Sequence, residues 1–90
     1  MQVRIPGLLR SYTKGAATVA VELSGEATTL ADVLGDLDGR YPGFRFRIID
    51  EQGAIRPHIK IFVDGELARD LTTATLRAAE VMIVGALSGG

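Results

Sequence analysis

The chain has 90 residues, 47% of them hydrophobic and 23% charged, with 10 basic against 11 acidic side chains and a formal net charge of −1. A chain this short supports one small core, and its balanced charge lacks the basic excess of a nucleic-acid binder. It holds no cysteine and a single histidine, His58, which excludes a disulfide framework, a cysteine nucleophile, a thiolate metal centre and a histidine-rich metal site within one chain.

The opening Met1-Gln2-Val3-Arg4-Ile5-Pro6 lacks the apolar stretch and cleavage pattern of a secretory signal. No run approaches the roughly 20 apolar residues that cross a bilayer. The expectation is therefore a soluble cytoplasmic domain, residues 1–90 as one unit, with no membrane partner. The first strand is expected at Val3–Ile5. A second follows where Val19, Val21 and Leu23 alternate with Thr18, Ala20 and Glu22, the period of a half-buried strand. A loose loop from Pro6 to Gly15 joins the two as a hairpin.

The strongest helix signal comes next. Leu30, Val33, Leu34 and Leu37 recur at i, i+3, i+4 and i+7, which makes one core-facing stripe. Thr28 or Thr29 supplies the N-cap, Asp32 favours the positive end of the dipole, and Gly39 and Pro42 bracket the end. Asp32, Asp36 and Asp38 lie off the stripe and read as a solvated face. Residues 43–58 read two ways: Phe44, Phe46 and Ile48 alternate with Arg45 and Arg47 as in a strand, yet Phe44 and Ile48 also fit one helical turn, with Pro42 as a candidate first residue. Periodicity alone leaves both open.

Ile59-Lys60-Ile61-Phe62-Val63 predicts a strand, and Asp64-Gly65 a tight turn, because that pair readily takes positive φ. A short partner strand, Glu66–Ala68, follows. Thr72–Leu76 is expected to be a loop with one helical turn. The last strand, Val81–Ala86, is apolar at every position but Gly85 and belongs near the middle of a sheet. The order is that of an α+β β-grasp, or ubiquitin-like, fold: a mixed sheet with one main helix packed on one face. A split β/α sandwich of ferredoxin type is the competing arrangement, but it calls for a second comparable helix.

No conventional catalytic constellation is present. Ser11, Ser24 and Ser88 have one candidate base between them, no phosphate-binding glycine loop opens a helix, and the acids are spread along the chain. His58 reads as a polar residue at a strand entrance, and Arg45 and Arg47 either as a solvated face or as a contact for an acidic partner. The informative feature is the ending. The last strand runs into Leu87-Ser88-Gly89-Gly90, where two glycines leave a backbone free of β-carbons that threads a narrow channel and presents a carboxylate. The alternative is a frayed terminus.

Arg56-Pro57-His58-Ile59-Lys60-Ile61-Phe62-Val63-Asp64-Gly65-Glu66 resembles the mid-chain strand and turn of MoaD/ThiS-type sulfur carrier proteins, and Ala86-Leu87-Ser88-Gly89-Gly90 is similar to their C-terminal signature. The resemblance covers nearly the whole chain and implies a short helix within 43–50. It also implies a carrier that has no catalytic residues of its own. Gly90 would carry the sulfur, and Leu87, Ser88 and Gly89 would be recognised as its tail. A ubiquitin-activating-type adenylyltransferase would spend ATP with Mg²⁺ to adenylate Gly90, a persulfide-bearing partner would donate sulfur, and a downstream synthase would consume the thiocarboxylate. No cofactor is expected to be bound tightly. The receiving pathway stays open between molybdopterin, thiamine, cysteine and specialised products, with length and middle segment nearer the MoaD and cysteine-synthesis carriers. Gly85 stands where many relatives have proline, which implies a freer exit for the tail. A ubiquitin-like modifier joined through Gly90 to target lysines is the second reading, and an inert interaction module the third.

Strand parity completes the expectation. With Ile59, Ile61, Val63, Val81 and Ile83 facing the helix, Phe62, Met82 and Val84 share the opposite face and offer an apolar patch to a partner. The alternative places Phe62 beneath the loop before His58.

Overall fold

The computed structural model describes residues 1–23 and 28–85. Ser24 and the tail residues Leu87, Ser88, Gly89 and Gly90 lie outside that range. Five strands, β1 (Gln2–Arg4), β2 (Thr18–Ala20), β3 (Ile59–Val63), β4 (Glu66–Ala68) and β5 (Glu80–Gly85), form one sheet in the order β2-β1-β5-β3-β4. β5 runs parallel to β1, and every other neighbouring pair is antiparallel. Helix α1 (Leu30–Arg40) packs on one face, and α2 (Phe44–Ile48) is a short second helix. This is the β-grasp arrangement; five residues of α2 do not make the second large helix of a ferredoxin-type sandwich.

The apolar stripe of α1 meets the inward residues of the sheet. Leu30, Val33, Leu34 and Leu37 are fully buried together with Val3, Ile61 and Val81, and Phe44 and Ile48 of α2 seal one end. Thr29 caps α1. Its backbone N–H donates to the Asp32 carboxylate at 2.9 Å, the reach-back half of a capping box. The first free N–H groups of the helix go to the loop before β5: Leu30 donates to Thr73 O at 3.0 Å and Ala31 to Leu71 O at 3.1 Å.

That pairing corrects the helical turn expected at Thr72–Leu76. The segment contains no helix and instead bridges Thr29 to Ala74. Thr73 O is taken by the first turn of α1, so this stretch runs alongside the helix start. The loop from Pro6 to Gly15 is likewise not loose. Gly7–Leu9 forms a 3-10 turn, Leu9 and Thr13 are buried, and the Thr13 hydroxyl donates to Ala16 O at 2.8 Å.

The ambiguous stretch after α1 resolves as helix. Gly43 stands at φ +92°, a conformation glycine tolerates, and so makes the break that lets α2 start at Phe44 rather than at Pro42. Asp38 explains the rest. Its Oδ1 accepts the N–H of Gly43 at 3.2 Å and of Arg45 at 3.1 Å, so it caps the next helix instead of idling on a solvated face. Asp36 pairs with Arg40 at 3.0 Å. No helix among the described residues is long and apolar enough to cross a membrane.

Candidate partner-binding face and tail root

β5 is central, but only one of its faces is covered. Val81 and Ile83 are buried under α1, whereas Met82 is half-buried and Val84 is 40% exposed on the other side. Register assembles the uncovered face. Leu67 of β4 pairs with Phe62 of β3, Phe62 with Met82 of β5, Met82 with Arg4 of β1, and Arg4 with Thr18 of β2. Val84 pairs with Lys60 one step nearer the C-terminal end of β5. Phe62 is half-buried among these neighbours and is not part of the core. Phe62, Met82 and Val84 therefore stand on one face. Leu67, 52% exposed, extends the patch. Leu67 is hard to read from the sequence, because β4 is three residues long and its place depends on the register of the hairpin.

The patch is apolar at its centre and charged at its edge. Arg4 forms an ion pair with Glu80 at 3.5 Å, and Lys60 is exposed beside Val84. A groove of about 370 Å³ runs from Arg4 and Arg10 past Met82 and Val84 to Gly85, where the described part of β5 ends. Arg10 is tied to one wall by the bond from its Nε to Ile5 O at 3.1 Å.

Gly85 does not loosen this corner. It pairs with Ile59 inside the sheet, and Leu8 packs so closely over its α-carbon that a β-carbon there would lie 2.4 Å from Leu8 Cδ2. A β-carbon there would displace the end of the Leu8 side chain, so glycine makes room for that contact. The tail begins from a root fixed by a strand on one side and an apolar side chain on the other.

His58 is exposed immediately before β3, as its position suggested, and Arg45 and Arg47 lie on α2. The fold adds a grouping that no spacing displays. Arg47 stacks on Tyr12, 35 residues away, and Arg56 on Phe46. Among the described residues no cluster of three or more histidine, cysteine or acidic side chains is placed to hold a metal ion.

Comparison with known proteins accords with this geometry. Residues 3–90 match the model of the ThiS family. The chain is 34% identical over 76 residues to Small archaeal modifier protein 1 of Haloferax volcanii, covering 84% of this chain and 85% of that protein. It is 33% identical over 93 residues to the sulfur carrier protein CysO of Mycobacterium tuberculosis, covering 98% of this chain and 96% of that one. The crystal structure of M. tuberculosis CysO superposes with a TM-score of 0.80 at 31% identity, over 96% of this chain and 98% of that chain. A chain from the Amycolatopsis orientalis BexX/CysO complex superposes with a TM-score of 0.82 at 26% identity, over 99% and 98%. With a β-grasp sheet built around β5, a family match spanning nearly its full length and relatives of the same size, the chain belongs to the ThiS family.

Proposed function

We propose that this protein is a sulfur carrier whose Gly90 carboxylate is adenylated by a ubiquitin-activating-type enzyme and converted to a thiocarboxylate. The observation that carries the proposal is the coupling of a fixed root to a glycine-ended tail. Gly85 is locked in the central strand beside an uncovered apolar face, and five residues separate it from the end of the Gly89-Gly90 pair. Five extended residues reach about 17 Å, enough for a partner that grips the sheet face to draw the end of the tail into its own active site. The likeness to CysO, and the occurrence of a CysO in complex with BexX, support a carrier that works with partner proteins.

The chemistry divides accordingly. A carboxylate is a poor acylating agent because its leaving group would be oxide. Its oxygen attacks the α-phosphorus of ATP, pyrophosphate leaves, and the acyl adenylate now has AMP as a good leaving group. Mg²⁺ and partner cations neutralise the phosphates. The terminal sulfur of a partner's persulfide attacks the acyl carbon and expels AMP. A thiol then cleaves the resulting S–S bond and leaves the thiocarboxylate on Gly90 for a downstream synthase. This chain has no cysteine, so both sulfur donor and thiol are supplied in trans. Gly89, Ser88 and Leu87 provide the stretch the partner reads, and Phe62, Met82 and Val84 the face it holds.

Intact mass spectrometry of the protein from its native host tests the proposal. The expected result is a species in which one oxygen is replaced by sulfur, localised to residue 90. A second reading, a protein modifier, is favoured by the likeness to Small archaeal modifier protein 1. It predicts covalent conjugates through Gly90 to target lysines. Neither sulfur nor conjugates on Gly90 in the native protein would overturn both.

A further inference from the structure

Beside the tail root lies a group of cations the carrier chemistry does not use. The Arg56 guanidinium sits 4.8 Å from the centroid of the Phe46 ring, and its Nε donates to Phe46 O at 2.9 Å. The Arg47 guanidinium sits 5.2 Å from the centroid of the Tyr12 ring, and its Nε donates to the Tyr12 hydroxyl. Each arginine is thus held by its Nε and by an aromatic face, which leaves the terminal nitrogens to a visitor. His58 joins the two. It lines a hollow of about 230 Å³ with Phe46, Arg47 and Arg56, and an adjoining hollow of about 340 Å³ with Leu8, Tyr12 and Arg47. Leu8 is the side chain packed on Gly85, so the group abuts the point where the tail departs.

Among the described residues no acidic side chain forms an ion pair with Arg47 or Arg56. The ion pairs among the described residues are Arg4–Glu80 and Arg40–Asp36. Asp50 is near enough to Arg56 to feel its charge, but Asp50 Oδ1 is committed to the N–H groups of Gln52 and Ala54. Phe46, 57% exposed, is the most exposed large apolar side chain among the described residues. Two prearranged guanidinium forks around an exposed aromatic ring match carboxylates flanking an apolar side chain.

We infer that Tyr12, Phe46, Arg47, Arg56 and His58 form a second docking site, for an acidic segment of the activating enzyme that receives the tail. The inference rests on the carrier reading. The apolar sheet face holds the body of the carrier, while this site, joined to the tail root through Leu8, fixes its orientation. Its charge also steers encounter, which makes it sensitive to salt.

The experiment is ATP–pyrophosphate exchange by the purified ubiquitin-activating-type enzyme of the same host, measured against concentration of the full chain at several salt concentrations. The R47E/R56E variant is expected to raise KM at least about tenfold with kcat within about twofold, and to flatten the salt dependence of kcat/KM. R47K/R56K retains the charges and is expected to recover most of the loss. R47Q/R56Q, whose neutral side chains present no new repulsion, keeps the test decisive if the reversed variant melts early. A KM within about twofold of the wild type for the Gln variant overturns the docking site alone. So does a loss that appears only in kcat. A wild-type chain that supports no exchange overturns the carrier reading and this inference with it.

Discussion

Several acidic residues hold the loops of this protein together. Asp64 Oδ1 accepts the N–H of Ala79 at 3.0 Å and of Glu80 at 2.9 Å, which ties the β3–β4 turn to the start of the central strand. Asp38 does the same for α2. Asp50 and Asp70 each close a turn, and their pKa values are shifted down from the ordinary aspartate value of 3.8. For Asp50 the main cause is the N–H of Ala54, then that of Gln52; for Asp70 it is the Thr72 hydroxyl, then the Thr72 N–H. A carboxyl whose folded pKa lies below its unfolded one is protonated first in the unfolded chain. Its stabilisation is therefore whole above the ordinary value and is lost as pH falls through the folded one. Stability measured by urea unfolding should hold steady down to about pH 5 and decline below about pH 4. The Asp50→Asn, Asp70→Asn double variant should show a shallower decline. An identical acid slope in variant and wild type would remove these two residues from the account.

At the scale of elements, the central strand has two unequal faces. Val81 and Ile83 are locked under α1, and Met82 and Val84 are not. Truncating the uncovered face should therefore separate folding from binding. Phe62→Ala or Met82→Ala should cost about 1 to 2 kcal/mol in urea unfolding, less than removal of a fully buried side chain. Affinity for the activating enzyme should fall about tenfold or more, as expected of apolar anchors at the centre of an interface. Unchanged affinity in a folded variant would dismiss the face as a contact. The helices show the same interplay of local and distant causes. The α1 stripe is visible in the spacing of its leucines, but its N-terminal hydrogen bonds are completed by a loop some 40 residues later. The start of α2 depends on Gly43 at positive φ and on Asp38 reaching forward five and seven residues.

For the whole molecule, the proposal makes the globular part a handle and residue 90 the working end. A chain extended by two alanines beyond Gly90 should melt within about 1 °C of the wild type, because nothing in the described core depends on the tail. It should form no acyl adenylate with the activating enzyme until the added residues are removed. Full adenylation of the extended chain, with its mass unchanged, would sink the assignment of Gly90.

The sequence by itself determined the β-grasp order, the buried stripe of α1, the central place of the last strand and the ThiS-type ending. Each of these is written in short-range periodicity or in contiguous residues, so no knowledge of distant contacts is needed to read it. The tertiary structure decided what depends on register and on pairs far apart in the chain. It brought Leu67 beside Phe62 and Met82, made Gly85 a point of close packing under Leu8, and turned the 72–76 segment into a cap for α1. It also gathered Tyr12, Arg47, Arg56 and His58 at one corner. The physical reason is the same in each case: a cross-strand neighbour or a stacked ring is chosen by how the whole sheet closes, and the local sequence carries no record of which partner that will be.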